Sequence, residues 1–205
     1  MAAAEDGAKP LKEAAPKELS ADLVKALEDT GYQVTANGKV VCDIWLAKEW
    51  AAKAKFTPTL AMLYPLEPGE LIGAIRYPKK SNDYRNQQVR PGVYTLRFGL
   101  QPEDGSHVGT SMTRDFVMLL PPGKDTKPAR IADVMGMFKQ SAQVSGSTHP
   151  AILAMLGVPE GSKSPAVRHV EERELWSVRL SGKAKAGDKV SELPIEIVVV
   201  GHAPE

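Results

Sequence analysis

The chain has 205 residues, of which 42% are hydrophobic and 25% charged, with a formal net charge of +1. That is enough for one domain of generous size, with the composition of an ordinary globular protein and no overall field to attract nucleic acid or an anionic membrane. The single cysteine, Cys42, excludes an intrachain disulfide and a multi-cysteine zinc site, and no run reaches the roughly 20 apolar residues of a membrane-spanning helix.

Residues 1–17, MAAAEDGAKPLKEAAPK, lack periodic apolar positions and are expected to form a flexible tail. The remaining residues, 18–205, read as a single domain. A short N-terminal helix is expected after Ser20, a good N-cap, with Leu23, Val24 and Leu27 on one face and Gly31 as its stop. Asn37-Gly38 between YQVT and KVVCDIWLA is a strong hairpin signal, because both turn residues tolerate positive φ. In the second strand Val40, Cys42, Ile44 and Leu46 form the expected core face, opposite Val41, Asp43 and Trp45.

One helical turn is expected within Lys48 to Lys55, followed by strands in TLAMLYPL and ELIGAIRYP. Pro91-Gly92 then turns the chain into VYTLRFGLQ. There Tyr94, Leu96, Phe98 and Leu100 oppose Val93, Thr95 and Arg97. After a polar loop comes RDFVMLLP, with Phe116, Met118 and Leu120 opposite Asp115, Val117 and Leu119. A helical insertion is expected over residues 128–157. It holds a helix with Ile131, Val134, Met135, Phe138 and Ala142 on one stripe, then a second short helix in PAILAML. HVEERELWSVRL and ELPIEIVVVGH complete the chain as a strand pair. With roughly seven or eight strands joined by short turns, the pattern argues for a mainly β, antiparallel, jelly-roll-like sandwich.

The segment RPGVYTLRFGLQPEDGSHVGTSMTRDF, Arg90 to Phe116, resembles a group of uncharacterised secreted or periplasmic bacterial β-sandwich proteins. In that group a Pro-Gly-x-Tyr turn opens a central strand, and an Asp-Gly-x-His-x-Gly-Thr-Ser loop follows. The resemblance implies a periplasmic or secreted β-sandwich and brings no activity with it. The residues from Met1 lack the apolar stretch of an export signal, so this placement expects the signal to lie outside the given sequence.

Strand alternation puts Asp43, Trp45, Arg76, Arg97 and Asp115 away from the apolar faces of their strands. Arginines beside an indole suit an anionic or sugar-like ligand; the competing reading is a solvated sheet face with cross-strand ion pairs. His107, with Asp104, Ser106, Thr110 and Ser111 near it, has the residue types of an acid–base site, but the same loop is good turn chemistry and no Gly-x-Ser-x-Gly elbow is present. His107, His149, His169 and His202 show no metal-ligand spacing, and Cys42 reads as a buried inert thiol, so neither metal nor cofactor is expected.

The leading expectation is a non-catalytic, extracytoplasmic module that binds a small ligand or protein partner through Trp45, Arg76, Arg97, His107 and Asp115. A hydrolase using His107 with Asp115 or Asp104, and a structural module of an envelope assembly, are the alternatives. Nucleic acid is not an expected partner.

Overall fold

A computed structural model of the chain describes residues 5–59, 61–102 and 113–203. The chain begins with a strand. β1 (Gly7–Leu11) pairs antiparallel with β2 (Gly31–Ala36), from Gly7 opposite Thr35 to Leu11 opposite Gly31. Gly7–Leu11 of the expected tail is therefore part of the sheet: strand pairing needs free backbone groups and a neighbour, and apolar periodicity within β1 is not required. Helix α1 (Ala21–Ala26) sits between these strands instead of opening the domain. Ser20 caps it, its Oγ accepting from Leu23 N at 3.2 Å. It ends at Leu27, four residues before Gly31, which begins β2.

β2 turns into β3 (Lys39–Leu46) through Asn37 and Gly38, at φ of 51° and 67°, the twisted hairpin geometry that Asn and Gly tolerate. The register slips between Val34 and Thr35, so that Val34 faces Cys42 and Thr35 faces Val40. One residue of slip reverses the side that follows it, and Val40, expected in the core, is 41% exposed. In place of a helical turn after β3 there is β4 (Trp50–Ala51), a short strand. The described residues of TLAMLYPL form no strand, only an isolated bridge from Leu66 to Ala52. Next come β5 (Leu71–Tyr77), the small β6 (Ser81–Asn82) and β7 (Gln88–Val89) pair, β8 (Gly92–Leu100) and β9 (Asp115–Leu120).

Only one of the two helices expected in 128–157 is present. α2 (Val134–Ser145) is capped by Asp133, whose carboxylate accepts from Gly136 N at 2.8 Å, and ends at Gly146 in the left-handed conformation. Its buried residues are Met137, Ser141 and Val144, while Met135 is 66% exposed. The PAILAML segment is a strand, β10 (Ile152–Leu156), inserted between β9 and β13 (Lys189–Val200). HVEERELWSVRL divides into β11 (Ala166–Val170) and β12 (Leu175–Ala186), turned by Glu174 at φ 49°. β12 and β13 form the long closing hairpin.

The fold is mainly β. The strands follow one continuous path, β1-β2-β3-β5-β8-β9-β10-β13-β12-β11, antiparallel except where β4 joins β12 in parallel. Where a sandwich would have two separately hydrogen-bonded sheets, this is a single large mixed sheet that curls. β1 approaches β11, and Trp176 Nε1 on β12 donates to Asp6 beside β1 at 2.9 Å. The concave side holds the main core, with Ile44, Ile75, Leu96, Phe98, Val117, Leu119, Val178 and Ile197 all buried. Burying these side chains stabilises the fold by about 1.5–3 kcal/mol each before conformational entropy is counted.

Candidate functional site

The convex side of the sheet is largely covered, and the expected polar cluster lies beneath the covers. Direct cross-strand partners share a side of the sheet. The pairs Asp43 with Arg76, Arg76 with Val93 and Trp45 with Ala74 therefore place Asp43, Trp45, Arg76 and Arg97 together on this side. Asp115 is opposite Leu100, in phase with Val117 and Leu119, and so points to the concave side, contrary to expectation.

Trp45, Arg76, Arg97 and Asp115 each hold a neighbouring segment in place. Trp45 is fully buried; its indole N–H donates to Glu13 O at 2.8 Å, and Arg76 lies 5.1 Å above the ring. Arg76 also donates twice to the Glu13 carboxylate, at 2.8 and 3.1 Å, and to Asp43 at 2.9 Å. The Arg76 guanidinium, through hydrogen bond and charge, holds the Glu13 carboxyl below the usual range.

Arg97 is fully buried and faces Asp125, donating from Nε at 2.7 Å and from Nη2 at 2.8 Å. Its remaining N–H groups reach the carbonyls of Gly69, Lys127, Pro128 and Ala129. Thr95 Oγ1 also donates to Asp125, at 2.6 Å. This guanidinium has its donors consumed by the chain itself, so the geometry fits a structural clamp over residues 125–131. Asp115 accepts from Leu63 N at 2.9 Å and Tyr64 N at 3.1 Å; burial pushes its carboxyl upward against the pull of those amides. His107, with Asp104, Ser106, Thr110 and Ser111, lies outside the described residues.

An open cavity lies elsewhere on the same convex side, where the cover is incomplete. On β9 and β10 that side presents Phe116, Ile152 and Ala154. α2 covers Met118 and Leu120 through Met137 but leaves the other three as the floor of a groove of about 710 Å³. Phe116 lies flat on the sheet because the strand beneath carries Gly99, where a Cβ would come within 2.5 Å of its ring. Met135 and Phe138 form the helix wall, with the Phe138 and Phe116 rings 6.4 Å apart at 53°. Ser141 fixes this wall, its Oγ accepting from Ala151 N at 3.0 Å and donating to Ala151 O at 3.1 Å.

The opposite wall is the loop 83–87. Asp83 organises it, accepting from Arg85 N, Gln87 N, Gln87 Nε2 and Ile152 N between 2.7 and 3.1 Å. Burial raises the Asp83 carboxyl, and the bonds from Gln87, Ile152 and Arg85 oppose that rise. Tyr84 N donates to Ile152 O and Tyr84 O accepts from Ala203 N, so the wall is tied to β10 on one side and the C-terminal segment on the other. Arg85, Asn86, His149 and His202 occupy the rim, with Gln101, Pro102 and Thr113 at the end where 103–112 joins.

None of the expected site residues among those described lines this groove. The signal that could have found it is FVMLL in β9: apolar residues in both phases mean both sides of that strand are covered, the second by something other than the core. Among the described residues no three His, Cys, Asp or Glu side chains gather as metal ligands, and no helix is long and apolar enough to cross a membrane. No protein-family model, curated protein or solved structure matches the chain.

Proposed function

We propose that the protein is a non-catalytic binding module that takes a small, mainly apolar ligand in the groove between α2 and the β9–β10 surface. The observation that carries this reading is the groove itself. It has the size of small-molecule sites and an apolar floor of Phe116, Ile152 and Ala154, with polar side chains such as Arg85, Asn86, His149 and His202 also in its lining. Its walls are fixed by buried hydrogen bonds from Ser141 and Asp83, which suits a preformed site.

In the same reading the two halves of the curled sheet face each other as the layers of a sandwich. The shared burial of Ile44 and Leu96 with Val178 and Ile197 supports it. The extracytoplasmic location rests on the family resemblance of Arg90 to Phe116.

The test is binding of the neutral fluorophore N-phenyl-1-naphthylamine. Its emission should rise and shift to shorter wavelength with the native protein, and both changes should be lost in Phe138→Asp and in Met135→Asp. Because Met135 is exposed, the second variant leaves the fold intact. Unchanged emission in both variants would remove the groove from consideration.

A further inference from the structure

The groove continues into a second hollow of different chemistry. This hollow, about 600 Å³, is lined by Lys80, Ser81, Asn82, Gln88 and the β13 end at Val199 to Gly201; Asn86 and His202 belong to both linings. One extended molecule can therefore reach from the apolar floor, past Asn86 and His202, to Lys80.

Among the described lining residues the charges are of one sign. The described lining residues of the two hollows include Lys80, Arg85, His149 and His202, and no Asp or Glu. The chain as a whole has 26 Lys and Arg against 25 Asp and Glu, so this is a local excess and not a general one. Asp83, in the 83–87 loop, is buried with its oxygens engaged by four N–H groups. Lys80 and Arg85 are exposed and have no carboxylate partner among the described residues.

We propose, resting on the groove reading above, that the ligand is a single-chain amphipath with an anionic head. Its apolar chain lies over Phe116, Ile152 and Ala154, and its head meets Lys80, His202 and the amides of Asn82 and Asn86. A charged head is held best where cationic and N–H donors can meet it, which this hollow supplies and the groove floor does not.

The experiment is displacement of bound N-phenyl-1-naphthylamine by decanoate and by 1-decanol, with vesicle flotation in parallel. Decanoate should displace the probe from native protein at about tenfold lower concentration than 1-decanol, the discrimination expected of one charge-assisted contact. Lys80→Glu, outside the groove lining, should remove that preference while probe binding persists. Lys189→Glu, at the opposite end of β13 from Val200, should leave it intact. Equal displacement by both compounds from native protein overturns the anionic head and leaves the groove reading standing. Failure to bind either the probe or decanoate overturns both. Flotation with phosphatidylglycerol vesicles, without displacement by free decanoate, would also overturn the proposal, because the surface would then recognise a bilayer.

Discussion

β8 and β10 present the same side of one sheet, two strands apart, and the chain treats them in opposite ways. Over β8, residues 125–131 lie across the strand and a buried arginine fastens them there. Over β10, α2 stops short and leaves an apolar trough. Polar residues on the convex side are therefore fasteners, and the exposed opportunity for a ligand is apolar. A charged residue on a strand marks a surface only if nothing else in the chain needs its hydrogen bonds.

The sharpest way to break that contrast is Arg97→Ala. It strands the Asp125 carboxylate and removes donors from four carbonyls, so it should cost about 3–5 kcal/mol in urea unfolding. Arg97→Lys should recover little, since an ammonium cannot meet Asp125 with two bonds and still reach Gly69. A loss below about 1 kcal/mol, the range of an exposed ion pair, would return Arg97 to the list of ligand-binding residues.

The groove should respond to occupancy. A ligand held there at a hundred times its dissociation constant adds about 2.7 kcal/mol to the native protein. The same concentration should leave Met135→Asp where it was. Stabilisation of both proteins alike by N-phenyl-1-naphthylamine would place the ligand elsewhere.

A second fastener sharpens the comparison through pH. Glu196 is buried on β13. Burial raises its carboxyl, but hydrogen bonds from Ser177, Arg168 and Arg179 outweigh that and hold it below its ordinary 4.5. A carboxyl lowered by folding stabilises the protein at pH above its unfolded value, and that contribution disappears as pH falls through the folded one. Glu196→Gln should cost about 2 kcal/mol near neutral pH, and the gap from native protein should close as the pH drops below 4.5. A gap that stays constant with pH would contradict the ion-paired state.

The smallest effect belongs to Arg76→Ala. Its guanidinium is 29% exposed and meets a Glu13 side chain that is 51% exposed. The urea midpoint should move less than in Arg97→Ala, and probe binding should not change. A loss of probe affinity in Arg76→Ala would join the two regions into one site.

The mainly β fold was legible because alternation in VYTLRFG and the Asn37-Gly38 turn are local signals, set by the two-residue repeat and by positive φ. The side on which Arg76, Trp45 and Arg97 stand was legible for the same reason. What covers them was not. Glu13 lies 63 residues from Arg76, and Asp125 lies 28 from Arg97; neither partner shares a repeat with the strand it meets. β1 was missed because an edge strand containing Pro10 borrows its order from β2. PAILAML reads as a helix in sequence because a short apolar run has no period of its own; the gap between β9 and β13 makes it a strand. The groove was illegible for a related reason: it is a place where three covers fail to meet.

Backbone amide shifts during titration with N-phenyl-1-naphthylamine put the two regions in one spectrum. The account predicts that Phe116, Phe138, Ile152 and Ala154 move together while Asp43, Trp45, Arg76 and Arg97 stay still. Movement at Trp45, Arg76 and Arg97 with the groove amides unmoved would contradict it.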